Sequence, residues 1–269
     1  MLESVINISE GSDSSLLSEL GHAAGACLLD THSDEFHNRS VFTLYGPNVY
    51  EDSVNLARKA FQLLDLRSHV GVHPRIGVVD VVPFVPVGES DMADAILARD
   101  LFARNIAAEF LVPAFLYGPN RTLPQIRRDA FVRLAPDFGP SVPHPKYGSV
   151  AVGARELLVA YNIYLAIPDL TMATKIAKEV RSPFFRTLGL RVGNEVQVSA
   201  NLIDPLNHGI FEFYEAVRAK AQISRCELVG LAPLKVIEES PTALWEILDL
   251  DLDKALEIKV AMKKSDPPI

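Results

Sequence analysis

The residues best suited to acid–base chemistry stand in one string, SHVGVHPRIGVVDVVPF, at residues 68–84. It brings His69, His73, Arg75 and Asp80 to the start of a run of β-branched residues that predicts a buried strand. Histidine titrates near neutral pH and therefore suits proton transfer. The proline after His73 favours an extended backbone there, and nearby glycines permit tight turns. We interpret His73 as the candidate acid/base residue and His69 as a structural residue that ends the preceding helix.

A second polar string, LLDTHSDEFHNRSVFTL, covers residues 28–44 and joins two predicted strands. Its acids and histidines could form a metal site, but their spacing matches no dedicated metal motif. An ordinary polar turn explains the string equally well, and we predict no metal. Asn38 and Arg39 are better suited to an anionic or amide-bearing ligand.

A third string, PHPKYGSVAVGAR, occupies residues 143–155. Lys146 and Arg155 supply positive charge, and Tyr147 supplies the face of an aromatic ring. A flat heteroaromatic ligand with a glutamate tail would need both. The alternative is a surface loop that merely joins the two halves of the chain.

The elements that must position these residues alternate between strand and helix patterns in the first half. Residues 118–149 interrupt the alternation with six prolines and three glycines, which predicts an irregular segment that is either disordered or a functional loop. Its aromatic and aliphatic residues favour an ordered loop. Pro83 and Pro86 predict that the buried strand ends before them. The predicted strands are 3–8, 26–30, 41–45, 76–82 and 111–117, and the predicted helices are 13–24, 51–66 and 91–109.

The second half predicts the order βαββαβ of a ferredoxin-like unit. Its strands are 156–167, 185–191, 195–202 and 226–233, its helices are 170–181 and 208–224, and short helices follow within 241–262. The first half can be interpreted as an extended version of the same unit. The expected fold class is therefore α/β (α+β), with two subdomains, 1–150 and 151–269, each a mixed sheet covered by helices.

Composition limits the classes of function. The formal net charge of −8 argues against a nucleic-acid partner, since phosphates reward clustered lysine and arginine. The sequence has no apolar run long enough to span a membrane, and its N-terminus does not resemble a secretory signal. We expect a cytoplasmic protein with two buried, reduced cysteines, Cys27 and Cys226.

Taken together, ordered strings over nearly the whole chain resemble the formiminotransferase domain of the formimidoyltransferase-cyclodeaminase family, which includes glutamate formimidoyltransferases. The strings are VINISEG (5–11), HNRSVFTL (37–44), HVGVHPRIGVVDVVPFVPV (69–87), RTLPQIR (121–127), APDFGPS (135–141), GAR with AYNIYL (153–165), VQVSANLID (196–204) and LVGLAPLK (228–235). Each string alone would be a weak signal, whereas their shared order is specific.

The resemblance implies transfer of a formimino group from N-formimino-L-glutamate to tetrahydrofolate, a co-substrate, in a homodimer whose subdomains flank a substrate groove. His73 matches the family's catalytic histidine in its G-x-H-P-R string. The family's folate-contacting loop corresponds to the residues from Gly139, Pro140 and Ser141 through Lys146 and Tyr147 to Gly148.

The expected chemistry follows from the reacting groups. Attack by the folate N5 amine on the cationic amidine carbon gives a tetrahedral intermediate, which loses a proton from N5 and passes one to the departing glutamate nitrogen. One histidine can carry out both transfers, and we assign His73 this role. Asp34 or Asp30 would stabilise the cations, and guanidinium groups would hold the substrate carboxylates. The candidate guanidinium groups are those of Arg39, Arg75 and Arg155.

The chain departs in four respects from the vertebrate enzymes that it resembles. It has His32 where they carry an acid, and Asp34 is the expected replacement. Its loops near 118–134 and 181–194 are shorter, and we expect it to lack the cyclodeaminase half. Related formyl transfer, hydrolysis of a related donor, or folate binding without turnover are the alternatives.

Overall fold

The computed structural model describes residues 1–72 and 74–265. The chain forms two compact units, Met1–Glu156 and Leu157–Ile269, and each contains its own β-sheet. The predicted acid/base residue, His73, lies outside the described residues. Among the helices that are described, none has the length and apolar character needed to cross a membrane.

The first unit is a six-stranded mixed sheet with the strand order β2-β3-β1-β4-β6-β5. Its strands are β1 (Leu2–Ile8), β2 (Leu28–Asp34), β3 (Arg39–Gly46), β4 (Val79–Pro86), β5 (Ala114–Tyr117) and β6 (Val150–Ala154). Its helices are α1 (Ser14–Ala23), α2 (Val49–Leu63), α3 (Met92–Phe110) and α4 (Leu123–Asp129).

The first four strands of this sheet, with α1 and α2, repeat the βαββαβ order of a ferredoxin-like unit. Their pairings are antiparallel, whereas β6 and β5 extend the sheet through parallel pairings beyond β4. The first half is therefore an extended version of the unit, as the element order predicted.

One face of the first sheet packs against α1, α2 and α3 in the main core of the unit, where Ile6, Phe42, Val82 and Phe84 are fully buried. This follows from strand alternation, because every second residue of β1, β3 and β4 faces the helices. The opposite face carries a smaller apolar cluster beneath α4, which includes Phe115. Polar side chains on this second face therefore lie outside the main core.

The buried strand extends through the prolines that were predicted to end it. β4 runs over Val79–Pro86 instead of residues 76–82, so the predicted limits were wrong. The register with β1 continues from the Asn7–Val81 pair to the Ser4–Phe84 pair across Pro83. Because proline lacks an amide hydrogen, Pro83 cannot donate a backbone hydrogen bond to a neighbouring strand. Ser4 Oγ donates to the Pro83 carbonyl at 2.9 Å, which ties the two strands together there.

Two other predictions near the middle of the chain were incomplete. The helix α4 lies within the stretch that was expected to be a loop, and the predicted strand 156–167 begins later, as β7 (Val159–Leu165). Before it, β6 inserts between β4 and β5 of the first sheet. β6 is a short buried run, and such a run shows no periodicity that separates strand from loop.

The second unit has the predicted βαββαβ order. It consists of β7, α5 (Leu170–Glu179), β8 (Phe185–Val192), β9 (Glu195–Leu202), α6 (Ile210–Arg218) and β10 (Ile223–Val229), followed by α7 (Leu234–Glu238) and α8 (Leu256–Ser265). The sheet order β10-β7-β9-β8 is ferredoxin-like, and its three pairings are antiparallel rather than mixed. The hairpin between β8 and β9 turns at Gly193, whose φ of 57° suits glycine.

Candidate active site in the first unit

The edge strand β2 aligns three polar residues on one side of the sheet. Asp30, His32 and Asp34 alternate along the strand, so their side chains leave the same face. Asp34 is paired in register with Arg39 at the start of β3. The acids predicted from this string therefore share a face with one predicted arginine.

Asp34 is held by the turn that follows it. Its Oδ1 accepts a hydrogen bond from the His37 amide at 2.7 Å, and its Oδ2 lies 3.1 Å from His37 Nδ1. Burial would raise the pKa of Asp34, but the hydrogen bonds and charge of His37 outweigh it and lower the pKa to about 2. Asp34 therefore carries a full negative charge at neutral pH.

Asn38 organises the backbone around it. Its φ of 45° lies in the left-handed region that asparagine tolerates. Its side-chain oxygen accepts from the Gly11 amide at 2.9 Å, and its side-chain nitrogen donates to the Val70 carbonyl at 2.8 Å. The amide that was predicted to contact a ligand thus joins the loop after α2 to the turn before β3.

The described residues on both sides of position 73 contact this same turn. The Val72 amide donates to the Phe36 carbonyl at 3.3 Å, and Arg75 Nη2 donates to the His37 carbonyl at 3.1 Å. The residues that flank the predicted acid/base position therefore lie against the turn that fixes Asp34.

Asp80 is the centre of an arginine cluster at the start of β4. Its side chain is 1% exposed, and its Oδ2 accepts from Arg39 Nη1 at 2.9 Å and from Arg127 Nη2 at 2.7 Å. Its Oδ1 accepts from the Ile76 amide at 2.7 Å. Arg75 is close enough to interact electrostatically with both Asp80 and Arg127. Arg39 and Arg75, which were predicted from separate strings, therefore lie near the same buried carboxylate.

Burial and the neighbouring positive charges lower the pKa values of two arginines in this cluster. Burial lowers the pKa of Arg39 to about 10; Asp80 opposes the shift, and Arg127 and Arg75 add to it. Burial likewise lowers the pKa of Arg75, with Asp80 opposing and Arg127 adding. Arginine side chains keep their proton in proteins, so the cluster remains cationic.

Arg127, which donates to Asp80, lies in the last turn of the short helix α4. Thr122 begins the helix with a capping box, in which its side chain accepts from the Gln125 amide while the Gln125 side chain accepts from the Thr122 amide. Arg127 also donates to the Pro74 carbonyl, so it contacts the residue that follows position 73. The RTLPQIR string thus encodes both a helix start and a cationic residue for the site.

Arg155 extends the cationic region along the same sheet. It follows β6, and its charge interacts with the Tyr117 hydroxyl, as do the charges of Arg127 and Asp80. Burial raises the pKa of Tyr117, and the two arginines oppose this shift. Tyr117 therefore connects Arg155 to the Asp80 cluster.

The loop predicted to contact folate is tied to the segment after position 73. The Ser149 amide donates to the Ile76 carbonyl at 2.8 Å, and the Val78 amide donates to the Tyr147 carbonyl at 3.0 Å. Ile76 therefore donates its amide to Asp80 and accepts from Ser149 through its carbonyl. One residue links the arginine cluster to the end of the loop.

Two glycines make this close approach possible. Gly148 has a φ of 72°, and a Cβ there would lie 2.3 Å from the Ile76 carbonyl oxygen. A Cβ at Gly77 would lie 1.9 Å from the Ser149 carbonyl oxygen. Both contacts are shorter than any real side chain permits, so these positions require glycine.

His144 and Tyr147 form a stacked pair within the loop. Their ring centroids are 4.3 Å apart with an interplanar angle of 11°. His144 Nδ1 accepts from the amides of Lys146 and Tyr147 at 3.2 and 3.1 Å, so the ring proton is on Nε2. Burial and Lys146 lower the pKa of His144. Because Tyr147 also packs on Phe61 at 4.9 Å, the imidazole covers one face of a ring that already contacts the core.

The GPS string lies elsewhere in the unit. Gly139 has a φ of 85°, and a Cβ there would lie 2.9 Å from the Val112 carbonyl oxygen. The neighbouring Phe138 carbonyl accepts from the Ala114 amide at the start of β5, whereas Arg155 follows the end of the parallel strand β6. Gly139, Pro140 and Ser141 therefore lie at the opposite end of the β5–β6 pair from Arg155.

Sequence reasoning did not assign Arg127, His37 or His144 to the site, and it named Asp80 without a role. The RTLPQIR string was a usable signal for Arg127, since a capping box followed by arginine indicates a helix with a cationic last turn. Within the described ranges 1–72 and 74–265, no group of three or more His, Cys, Asp or Glu residues is arranged to hold a metal ion.

Comparison with known proteins gives one consistent result. The model of the formiminotransferase domain, N-terminal subdomain, matches residues 1–155. The chain is similar to the glutamate formimidoyltransferase of Streptococcus pyogenes serotype M1, with 31% identity over an alignment 289 residues long. The alignment covers 95% of this chain and 97% of that protein. The corresponding enzyme of Thermoplasma acidophilum is 31% identical over 296 residues, with 97% of each chain covered.

The chain is also similar to longer proteins. The formimidoyltransferase-cyclodeaminase of Rattus norvegicus is 35% identical over an alignment 276 residues long, which covers 88% of this chain and 51% of that protein. The chain thus spans about half the length of the cyclodeaminase relatives that it matches.

Proposed function

The chain belongs to the formiminotransferase family, and from that premise we propose that it transfers a formimino group from N-formimino-L-glutamate to N5 of tetrahydrofolate. The products are 5-formiminotetrahydrofolate and glutamate. The observation that carries the proposal is the arginine cluster around Asp80, which adjoins an aromatic loop through Ile76. A substrate with carboxylates and a co-substrate with a flat ring together need these two features.

The proposed roles follow the chemistry. His73 exchanges protons with the reacting nitrogens, in keeping with the family's G-x-H-P-R string. Asp34, with its pKa lowered to about 2, supplies a negative charge for the cationic amidine, and Asp30 lies on the same face of β2. Arg39, Arg75 and Arg155 hold carboxylates. An ionised acid and protonated arginines coexist across the neutral pH range, so the site needs no change of charge before substrate binds.

Tetrahydrofolate is proposed to bind at the loop between Gly139 and Gly148. The His144–Tyr147 stack offers a ring surface, and Lys146 Nζ lies 5.2 Å from the Tyr147 ring centroid, so a cationic group adjoins that surface. These residues fit a flat ring with an anionic tail. When bound, the folate supplies the amine nucleophile, while the protein holds and orients it. A homodimer in the cytoplasm remains our expectation.

A direct assay tests the proposal. Purified protein is incubated with tetrahydrofolate and N-formimino-L-glutamate, and 5-formiminotetrahydrofolate and glutamate are quantified. Both products should form in equal amounts. Replacement of the donor by N-formyl-L-glutamate tests formyl transfer. Tetrahydrofolate binding without turnover of either donor would contradict the proposal and leave a folate-binding protein.

A further inference from the structure

The arginine cluster contains a residue that the roles above do not use. Arg127 lies 47 positions after Asp80 in the sequence, yet its Nη2 is 2.7 Å from Asp80 Oδ2. Its side chain is 22% exposed, so the guanidinium is mostly buried while part of it remains accessible. Arg39, on the other side of the same carboxylate oxygen, has a similarly buried side chain with 15% exposure.

Asp80 holds these two guanidinium groups in fixed positions. One oxygen accepts from both arginines, and the other accepts from the Ile76 amide. Arg39 is held further by Asn7, whose side-chain oxygen accepts from Arg39 Nε at 2.9 Å. Because Arg127 Nη2 is fixed on Asp80, the exposed part of the Arg127 guanidinium has a defined direction, which favours recognition of a carboxylate.

Among the described residues, this cluster contains more cationic than anionic side chains. Within the described part of the chain, it sets the three guanidinium groups of Arg39, Arg75 and Arg127 against the one carboxylate of Asp80. Like charges that are largely withdrawn from water destabilise the fold unless an anion offsets them. Among the proposed substrates, the formimino donor is a small molecule with two carboxylates, and each carboxylate can pair with a guanidinium of this cluster.

We propose that Arg127 binds a carboxylate of the formimino donor and that Asp80 is the positioning residue that holds Arg127 and Arg39 for this purpose. The inference rests on the proposed function and adds a specificity-determining residue to it. Because Arg127 also donates to the Pro74 carbonyl, it contacts the segment that contains the proposed acid/base residue. A donor held by Arg127 is thereby held beside that segment.

Arg128 provides a matched control for Arg127. It occupies the next position of α4, but its side chain is 65% exposed and pairs with Asp129 instead of Asp80. We compare Arg127→Met with Arg128→Met in steady-state kinetics. Arg127→Met should raise the KM for the donor by roughly 30-fold or more, as expected when one partner of a buried charge pair is removed. Its KM for tetrahydrofolate should stay close to the wild-type value, and Arg128→Met should match the wild type in both constants.

Two conservative variants separate positioning from folding. Arg127→Lys keeps the charge without the fork and should recover part of the donor affinity. Asp80→Asn keeps the shape and an acceptor, and should raise the donor KM more than it lowers kcat. A merely structural role would leave the ratio of the two KM values unchanged, and Arg127→Lys provides the test if Arg127→Met does not fold.

Direct binding distinguishes failure of this inference from failure of the proposed function. L-Glutamate, the proposed product, is titrated into each variant by calorimetry, with inorganic phosphate as a competing anion. Arg127-dependent glutamate binding in a protein without transferase activity would support the site and reject the proposed function. An active enzyme whose Arg127→Met variant keeps its donor KM would overturn the inference. A raised KM for tetrahydrofolate alone would also overturn it, since the carboxylate would then be that of the folate tail.

Discussion

At the scale of single residues, His37 stabilises the ionised carboxylate of Asp34, three positions before it in the chain. Since hydrogen bonds from His37 lower its folded pKa to about 2, below the unfolded value of about 4, ionised Asp34 stabilises the folded state at neutral pH. The contribution is complete above about pH 4 and is lost as the pH falls through about 2. The same interaction therefore determines both the charge of the site and the acid stability of the turn.

We expect Asp34→Asn to lower the free energy of unfolding by roughly 2 kcal/mol at pH 7 and by much less near pH 2. Urea denaturation at several pH values measures this difference. Glu35→Gln, which changes an exposed acid in the same turn, should shift the free energy by less than about 0.5 kcal/mol. An Asp34→Asn loss that is independent of pH would show that the interaction of the Asp34 carboxylate with His37 is not responsible.

The proposed division of labour between the two histidines is also a residue-scale prediction. His73→Ala should reduce kcat by about 100- to 10,000-fold, the range for a positioned general base, with little change in either substrate's affinity or in thermal stability. His69→Ala should be milder, because His69 Nδ1 lies 3.4 Å from Asn38 Nδ2 and contributes to the loop. Loss of turnover in a well-folded His69→Ala variant, with an unfolded His73→Ala variant, would reverse the assignment.

At the scale of elements, the approach of the 144–149 segment to β4 depends on glycine. Gly148→Ala combines a left-handed φ with a Cβ 2.3 Å from the Ile76 carbonyl oxygen, whereas Gly88→Ala has a similar φ of 67° with no atom within 4 Å. We expect Gly88→Ala to cost about 1–2 kcal/mol from the backbone alone. Gly148→Ala should cost at least about 1 kcal/mol more because backbone atoms must move. Equal losses in urea denaturation would show that the segment yields without cost.

The elements that periodicity describes well were predicted from the sequence, and the others were not. The amphipathic helix at Val49–Leu63 and the hairpin at Gly193 follow from local spacing and turn chemistry. By contrast, β6 enters the first sheet because of long-range parallel pairing with β4 and β5. Such pairings leave little local signal, since parallel strands are joined by long crossovers.

The site shows the same limit. The individual strings indicated Arg39, Arg75 and Asp34, because polar residues at strand ends stand out locally. The meeting of Arg39 and Arg127 on Asp80 depends on contacts that span 41 and 47 positions. Only the three-dimensional arrangement identifies such a cluster.

At the scale of the whole molecule, each unit has a sheet and an apolar core of its own. We therefore expect residues 1–156 and residues 157–269, produced separately, to unfold cooperatively in urea while followed by circular dichroism. The second piece has a complete ferredoxin-like order and should show a single transition. Gradual unfolding with strong binding of a hydrophobic dye would instead indicate that the pieces need each other to pack.

We expect Ile76 to couple the two proposed binding sites. The Ile76 amide donates to Asp80, and the Ile76 carbonyl accepts from the Ser149 amide at the end of the loop. A ligand that restricts motion on one side of Ile76 therefore lowers the conformational entropy that binding on the other side must remove. This is thermodynamic linkage, and it requires reciprocity: the factor by which glutamate tightens folate binding equals the factor by which folate tightens glutamate binding. Calorimetric titration of each ligand with and without the other measures both factors. We expect equal factors above one, so that folate and the glutamate moiety shared by donor and product favour each other's binding before any bond is made.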